Sequence, residues 1–226
     1  MKRYLTLHLH PFKPGEMWEK NLEQVVQLVN NSPADWVILP EVALTGFEYS
    51  RWDELNRFGR WAIDQLKIRI NKPLILTIVE QGFNNFYFIA PDFCYRRPKF
   101  KLFGREKRYF RVGKRPELFS YNGIRLVPLV CFEVRFVEYW LQFRYKPDLF
   151  LVPALWGKER LIHYLTLLDG LALSTQSWVV GVNGGLELPA VKVVDGWGKG
   201  NGGELSMIIT LDLSKNRIYR HKLPLQ

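Results

Sequence analysis

The sequence predicts an α/β protein built as a two-layered sheet sandwich flanked by helices. Helix-period segments alternate with short β-branched runs along the earlier part of the chain, and hairpin-like strands follow one another near its end. No Pro/Gly/Ser linker, internal repeat or low-complexity tract divides the 226 residues. A chain of this length buries roughly 70–75% of its unfolded surface. A hydrophobic content of 47% with 15% aromatics excludes general disorder. One domain over residues 1–226 is expected.

Tyr4 to Leu9 reads as the first strand. Met17 to Asn30 is an amphipathic helix, with Trp18, Leu22, Val25, Val26 and Val29 on one face. Trp36 to Leu39 is a short buried strand ending at Pro40-Glu41. Ser50 is placed to cap a second helix, whose apolar face is Leu55, Phe58, Ala62 and Leu66. Leu74 to Val79 is a strand, and Asn85 to Ala90 with Phe93 to Arg97 form a hairpin around Pro91-Asp92. Ile124 to Val130 is a buried strand, followed by the helix-like stretch Phe136 to Phe143. Leu149 to Val152 is a strand and Glu159 to Ser174 a long helix. Trp178 to Val182, Ala190 to Val194, Leu205 to Leu211 and Arg217 to Arg220 complete the strands.

The net charge of +10 is concentrated: between Arg96 and Arg115 ten Lys/Arg face one acid, Glu106. Such a run is a solvated loop, an anion-binding rim or a nucleic-acid surface. No apolar run reaches the roughly 18–20 residues that cross a bilayer. The start, Met1 to His10, has positive charge but no continuous apolar core and no small-residue cleavage site. A cytoplasmic protein with Cys94 and Cys131 as free thiols is therefore expected.

Cys131 is the most informative residue. It follows the strand Ile124-Arg-Leu-Val-Pro-Leu-Val130 and precedes Phe132-Glu-Val-Arg135. A thiol at the carboxyl end of a core strand, on a turn into a helix, sits where α/β folds put nucleophiles and ligand sites. Candidate partners lie upstream: Glu41 in Ile38-Leu-Pro-Glu41 and Lys99 in Tyr95-Arg-Arg-Pro-Lys99. Each has a bland alternative, as packing thiol, strand-end carboxylate or surface cation. Cys94, mid-strand beside Tyr95, reads as structural. His163 lies four residues after Glu159 with no second ligand at metal spacing, so no metal site is expected. Trp156, in a strand-end loop, is a candidate pocket wall. Gly181 to Gly185 lacks the spacing of a phosphate loop.

Taken in order, these segments resemble the nitrilase superfamily, the carbon–nitrogen hydrolases. Leu39-Pro-Glu41 with Leu44-Thr-Gly46-Phe47 is similar to a motif whose glutamate is a general base. Lys99-Phe-Lys-Leu-Phe103 is similar to one whose lysine stabilises a tetrahedral intermediate, and Val130-Cys131-Phe-Glu-Val-Arg-Phe136 to one whose cysteine is the nucleophile. Glu106 sits where the family often has a second glutamate that positions the lysine. Pro153-Ala-Leu-Trp156, His163-Tyr164, Leu167-Leu168 and Val179-Val-Gly-Val-Asn183 are similar to the following segment of soluble amidases. The chain departs from the pattern at Glu133, usually aspartate; at Lys101, often histidine; at Leu155, often asparagine; and in the short, glycine-rich stretch Gly184 to Gly203.

The resemblance implies a four-layer α-β-β-α sandwich, a single carbon–nitrogen hydrolase domain, a Glu41–Lys99–Cys131 triad, no metal or other cofactor, and a homodimer. An amide is a poor electrophile, and thiolate attack divides its hydrolysis into two easier steps through a thioester. Glu41 would take the thiol proton and return it to the departing ammonia. Lys99 and the backbone N–H of Phe132 would meet the oxyanion, with Glu106 holding Lys99. The downstream segment looks like omega-amidase-type members, so a small carboxamide substrate is expected. Arg105, Arg108, Arg111 or Arg135 would suit its carboxylate, and an N-carbamoyl amino acid equally. The other class of reading is a non-enzymatic protein that binds an acidic partner or RNA, with Phe100, Phe103, Tyr109 and Phe110 as stacking groups.

Overall fold

Side-chain alternation settles which way each strand faces, and hence the layers. The computed structural model describes residues 4–185 and 187–225. Its first half holds β1 (Tyr4–Leu9), α1 (Trp18–Asn31), β2 (Trp36–Ile38), α2 (Trp52–Arg69), β3 (Leu74–Glu80), β4 (Phe83–Ala90), β5 (Phe93–Pro98) and the short α3 (Glu106–Tyr109). There follow β6 (Phe119–Tyr121), β7 (Ile124–Pro128), α4 (Val137–Leu141), β8 (Leu149–Ala154), α5 (Leu161–Thr175), β9 (Trp178–Asn183), β10 (Ala190–Val194), β11 (Gly200–Gly203), β12 (Met207–Asp212) and α6 (Lys215–Lys222).

The strands form two six-stranded sheets, ordered β12-β1-β2-β3-β4-β5 and β11-β10-β9-β8-β7-β6. In each, the central pairings are parallel and the outer ones antiparallel. On β2, Trp36 and Ile38 face the second sheet, while Val37 packs with α1 and α2. On β4, Phe86 and Phe88 face inward, while Tyr87 and Ile89 face the helices. This period of two gives the central strands two apolar faces, so the middle of each sheet is covered on both sides, while the edge strands β5, β11 and β12 keep exposed residues. The result is a four-layer α-β-β-α sandwich, with α1 and α2 outside one sheet and α4 and α5 outside the other. Helix α2 lies directly on β3: a Cβ on Gly59 would sit 1.8 Å from the Val79 carbonyl oxygen. Among the described residues no helix is long and apolar enough to cross a membrane.

Two local readings are corrected, and two strands are added to them. Arg217 to Arg220 is helical, within α6. Asn216 and Tyr219 share one helix face and reach the Asp148 carbonyl (2.7 Å) and the Asp195 carboxylate (2.7 Å), contacts no pairing partner for a strand replaces. Ser50 is not the cap of α2. Glu48 accepts the Ser50 N–H at 3.1 Å and caps a 3-10 turn, Tyr49–Arg51, that leads into the helix. Two strands escaped pattern reading: β6 is three residues long, and β11 is Gly-Asn-Gly-Gly, a strand only through its pairing with β10.

His8, on β1, is held between the Ser32 (2.9 Å) and Ser206 (2.7 Å) hydroxyls. Burial lowers its proton affinity, and burial together with His8 lowers that of His10. The unfolded chain, with an imidazole value near 6.5, therefore takes up protons first as pH falls. Stability present above about pH 6.5 is lost below it. The thermal midpoint is expected to fall between pH 7 and pH 5, and to fall less in His8→Gln; equal slopes would sink this account.

Candidate active site

The chain ends of β2, β5 and β7 meet between the two sheets. After β2, Leu39-Pro40 carries Glu41 into the interior, where it is 1% exposed. The next residue, Val42, has φ +46, a left-handed conformation that costs a β-branched residue roughly 1–3 kcal/mol. Its N–H is tied to the Thr77 hydroxyl at 2.8 Å. After β5, Lys99 donates its N–H to the Asn84 carbonyl (2.8 Å) and accepts the Gly113 N–H at its own carbonyl (2.9 Å). Gly113 must be glycine here, since a Cβ would lie 2.3 Å from the Pro98 carbonyl oxygen. After β7, Cys131 opens a 3-10 turn, Cys131–Arg135, with φ +50. Such strain is held only where surrounding contacts over-determine it.

Lys99 Nζ donates to Glu41 Oε1 at 2.8 Å and to both oxygens of Glu106 at 2.7 and 2.8 Å. Glu106 is anchored by the Phe103 N–H at 2.6 Å. Burial alone would strip the Lys99 charge, but Glu41, Cys131 and Glu106 outweigh it and hold the ammonium above the ordinary lysine range. Burial raises the Glu106 carboxyl, against the pull of Lys99. Burial likewise pushes the Cys131 thiol well above the usual cysteine range, and Glu41 adds to the rise while Lys99 opposes it. The sulfur is close enough to all three side chains to exchange charge effects with each.

A cavity of about 160 Å³ opens onto Cys131, lined by Phe103, Phe132, Arg135, Leu155, Trp156 and Arg160. This is small beside the roughly 300–1,000 Å³ of drug-sized ligand sites. The Arg135 guanidinium lies over the Trp156 ring at 4.8 Å and contacts His163 Nδ1 at 2.8 Å; that of Arg160 lies over Phe103 at 4.8 Å. Asn183 clamps the Trp156 backbone, accepting its N–H at 2.6 Å and donating to its carbonyl at 3.1 Å.

The structure thus brings Glu41, Lys99 and Glu106 into contact beside Cys131, and sets Phe132, Arg135 and Trp156 around the cavity. Arg105, Arg108 and Arg111 do not line it. Of the four aromatics weighed as stacking groups, Phe110 is buried and Tyr109 is stacked on Tyr49 at 4.4 Å. Sequence reading missed three participants. Asn84 donates to Glu41 Oε1 (2.8 Å) and reaches Glu106 Oε1 (3.4 Å); its only signal is an amide pair, Asn84-Asn85, in a buried strand. Arg160 carried no signal beyond its charge. Tyr49 lies near the same carboxylates: burial, then Glu106 and Glu41, raise its phenol far above the usual range.

No protein-family model matches the sequence. It is 27% identical over 193 residues to an omega-amidase, YafV, of Yersinia enterocolitica, covering 79% of this chain and 74% of that one. It is 25% identical over 215 residues to a 2-oxoglutaramate amidase of Bacillus subtilis, covering 84% and 83%. In structure it is similar to XC1258 of Xanthomonas campestris, a CN-hydrolase superfamily protein, with TM-score 0.85, 21% identity, and coverage of 99% and 96%.

Proposed function

We propose that this chain, a carbon–nitrogen hydrolase of the nitrilase superfamily with an omega-amidase-like sequence, hydrolyses the terminal carboxamide of small dicarboxylic monoamides and releases ammonia. The observation that carries this reading is the buried Lys99 ammonium, clasped by Glu41 and Glu106 in the field of Cys131.

In the first step Cys131 Sγ bonds to the amide carbon while its proton passes to Glu41. The carbonyl oxygen gains charge between Lys99 Nζ and the Phe132 N–H. Glu41 then protonates the nitrogen, the C–N bond breaks, ammonia leaves, and the acyl group remains as a thioester. Water gives a proton to Glu41 and adds to the thioester; collapse expels the Cys131 sulfur, which recovers that proton, and the carboxylic acid leaves. Glu106 and Asn84 hold Lys99 and Glu41 in register throughout.

Arg135 and Arg160 support an acyl portion that ends in a carboxylate, since both flank the cavity that contains Cys131. The exposed apolar residues Val137, Leu141, Ile162 and Leu173 on α4 and α5 support the homodimer.

The test is ammonia release from a panel of monoamides with a free carboxylate, N-carbamoyl amino acids, simple aliphatic amides, glutamine and nitriles. Preference for the monoamides is expected; preference for the N-carbamoyl compounds would move the substrate class and keep the chemistry. Absence of turnover on every compound by a folded protein would overturn the reading. In Arg135→Gln, KM for a charged monoamide should rise about 10–100-fold, the loss of one charge-assisted contact. KM for its uncharged methyl ester should hardly move, and equal effects on both would exclude carboxylate recognition by Arg135.

A further inference from the structure

Arg97 and Glu133 are both fully buried and form a two-pronged ion pair between the sheets. Arg97 Nη1 donates to Glu133 Oε1 at 3.0 Å and Nη2 to Oε2 at 2.5 Å. Each carboxylate oxygen takes one further donor from the backbone: Oε1 the Phe100 N–H at 2.6 Å, and Oε2 the Val130 N–H at 2.7 Å. Phe100 follows Lys99, and Val130 precedes Cys131. Arg97 also donates to the carbonyls of Lys114 (3.0 Å), Pro128 (3.2 Å) and Pro98 (3.3 Å). One carboxylate therefore grips the backbone beside both reacting segments, and a guanidinium from the other sheet holds that carboxylate in place.

A buried ion pair is weak evidence of stabilisation, because the desolvation of two charges offsets their attraction. Its use must be sought in what it holds. Lys99 stands at the end of β5, in the first sheet, and Phe132 on the turn after β7, in the second. Nothing covalent nearby sets the distance between the Lys99 Nζ and the Phe132 N–H. The geometry points to Arg97 and Glu133 as a positioning pair that sets the separation of the two oxyanion donors across the sheet interface. This rests on the reading of Cys131 as the nucleophile. A misplacement of about 1 Å in such a site costs on the order of 10²-fold in rate.

Two variants test it. Glu133→Gln replaces one acceptor oxygen by an NH₂, so that either Phe100 or Val130 points its N–H at a donor. The expected result is kcat about 10²-fold lower with KM within about threefold of wild type. The double variant Arg97→Met with Glu133→Leu removes both charges at similar volume, a change that folded proteins often tolerate without loss of stability. Its thermal midpoint is expected at or above that of Glu133→Gln, with kcat still about 10²-fold down because the backbone grip is gone. A double variant with wild-type kcat would overturn the assignment and leave the pair a folding element only. Should the double variant fail to fold, Arg97→Lys makes the same comparison: it keeps the charge and loses the fork. Reduced kcat at a near wild-type midpoint is then expected, and unchanged kcat overturns the proposal. The two levels of inference stay distinguishable. Wild-type turnover that survives Cys131→Ala defeats the nucleophile reading itself, whereas turnover that needs Cys131 but not the pair defeats only the positioning.

Discussion

Cys131→Ala is expected to lower ammonia release by at least about 10⁴-fold, because the remaining groups can bind and polarise an amide but cannot add to it. The fold should hardly notice. One sulfur is removed from a residue already 9% exposed, and the left-handed backbone at φ +50 is no harder for alanine than for cysteine. A thermal midpoint within a few degrees of wild type is therefore expected beside the lost activity. Intact-mass measurement during turnover should show an acyl adduct on wild type and none on the variant. Ammonia release at the wild-type rate from the variant would remove Cys131 from the chemistry. The burial of the sulfur carries a second consequence. Burial and Glu41 push its proton affinity above the usual cysteine range, so alkylation of wild type is expected to accelerate as pH rises; a rate that does not change with pH would contradict that direction.

Lys99→Met is expected to cost both activity and stability. One of two oxyanion donors disappears, a loss of about 10²–10³-fold or more in kcat. Two buried carboxylates, Glu41 and Glu106, also lose their shared cation, and breaking a buried pair from one side costs roughly 3–5 kcal/mol. Glu106 can escape part of that cost by taking up a proton. Glu106 already lies above the ordinary carboxylate range through burial, with Lys99 pulling it down. Without Lys99 the folded-state value rises further above the unfolded one. Stability is then fully present below about pH 4.3, the unfolded glutamate value, and is lost as pH rises through the folded value. The variant should thus melt higher at pH 5 than at pH 8. A midpoint that is the same at both would mean that Glu106 is not left unpaired, and the clasp around Lys99 would have to be redrawn.

How much of this was legible without coordinates follows from how far each signal reaches along the chain. Glu41 and Cys131 stand just past strands with local β-branched residues, and Lys99 just past the second arm of a hairpin marked by Pro91-Asp92, so their strand-end positions were readable. Glu106 stood out as one acid among ten cations. Local pattern misled where the deciding contact is remote. The sequence Arg217 to Arg220 has no strong period, and α6 forms because Asn216 and Tyr219 find Asp148 and Asp195, more than twenty residues away. Likewise, β11 is four residues of Gly and Asn with no strand propensity, and only its register on β10 makes it one.

The amino-acid sequence by itself determined the two-faced strands, the amphipathic α1 and α2, the family resemblance and the chemical types at the four site positions. Those depend on neighbours one, two, three or four residues apart. Tertiary structure alone decided which groups share a charge and which share a wall. Asn84 between two carboxylates, Arg160 beside Arg135, and Arg97 bonded to Glu133 across the sheet interface all join residues from separate strands or turns. The physical reason is that the sheets pack by burying apolar faces, which is indifferent to pairing detail, whereas a buried charge is tolerated only where a partner remote in sequence arrives within hydrogen-bond reach.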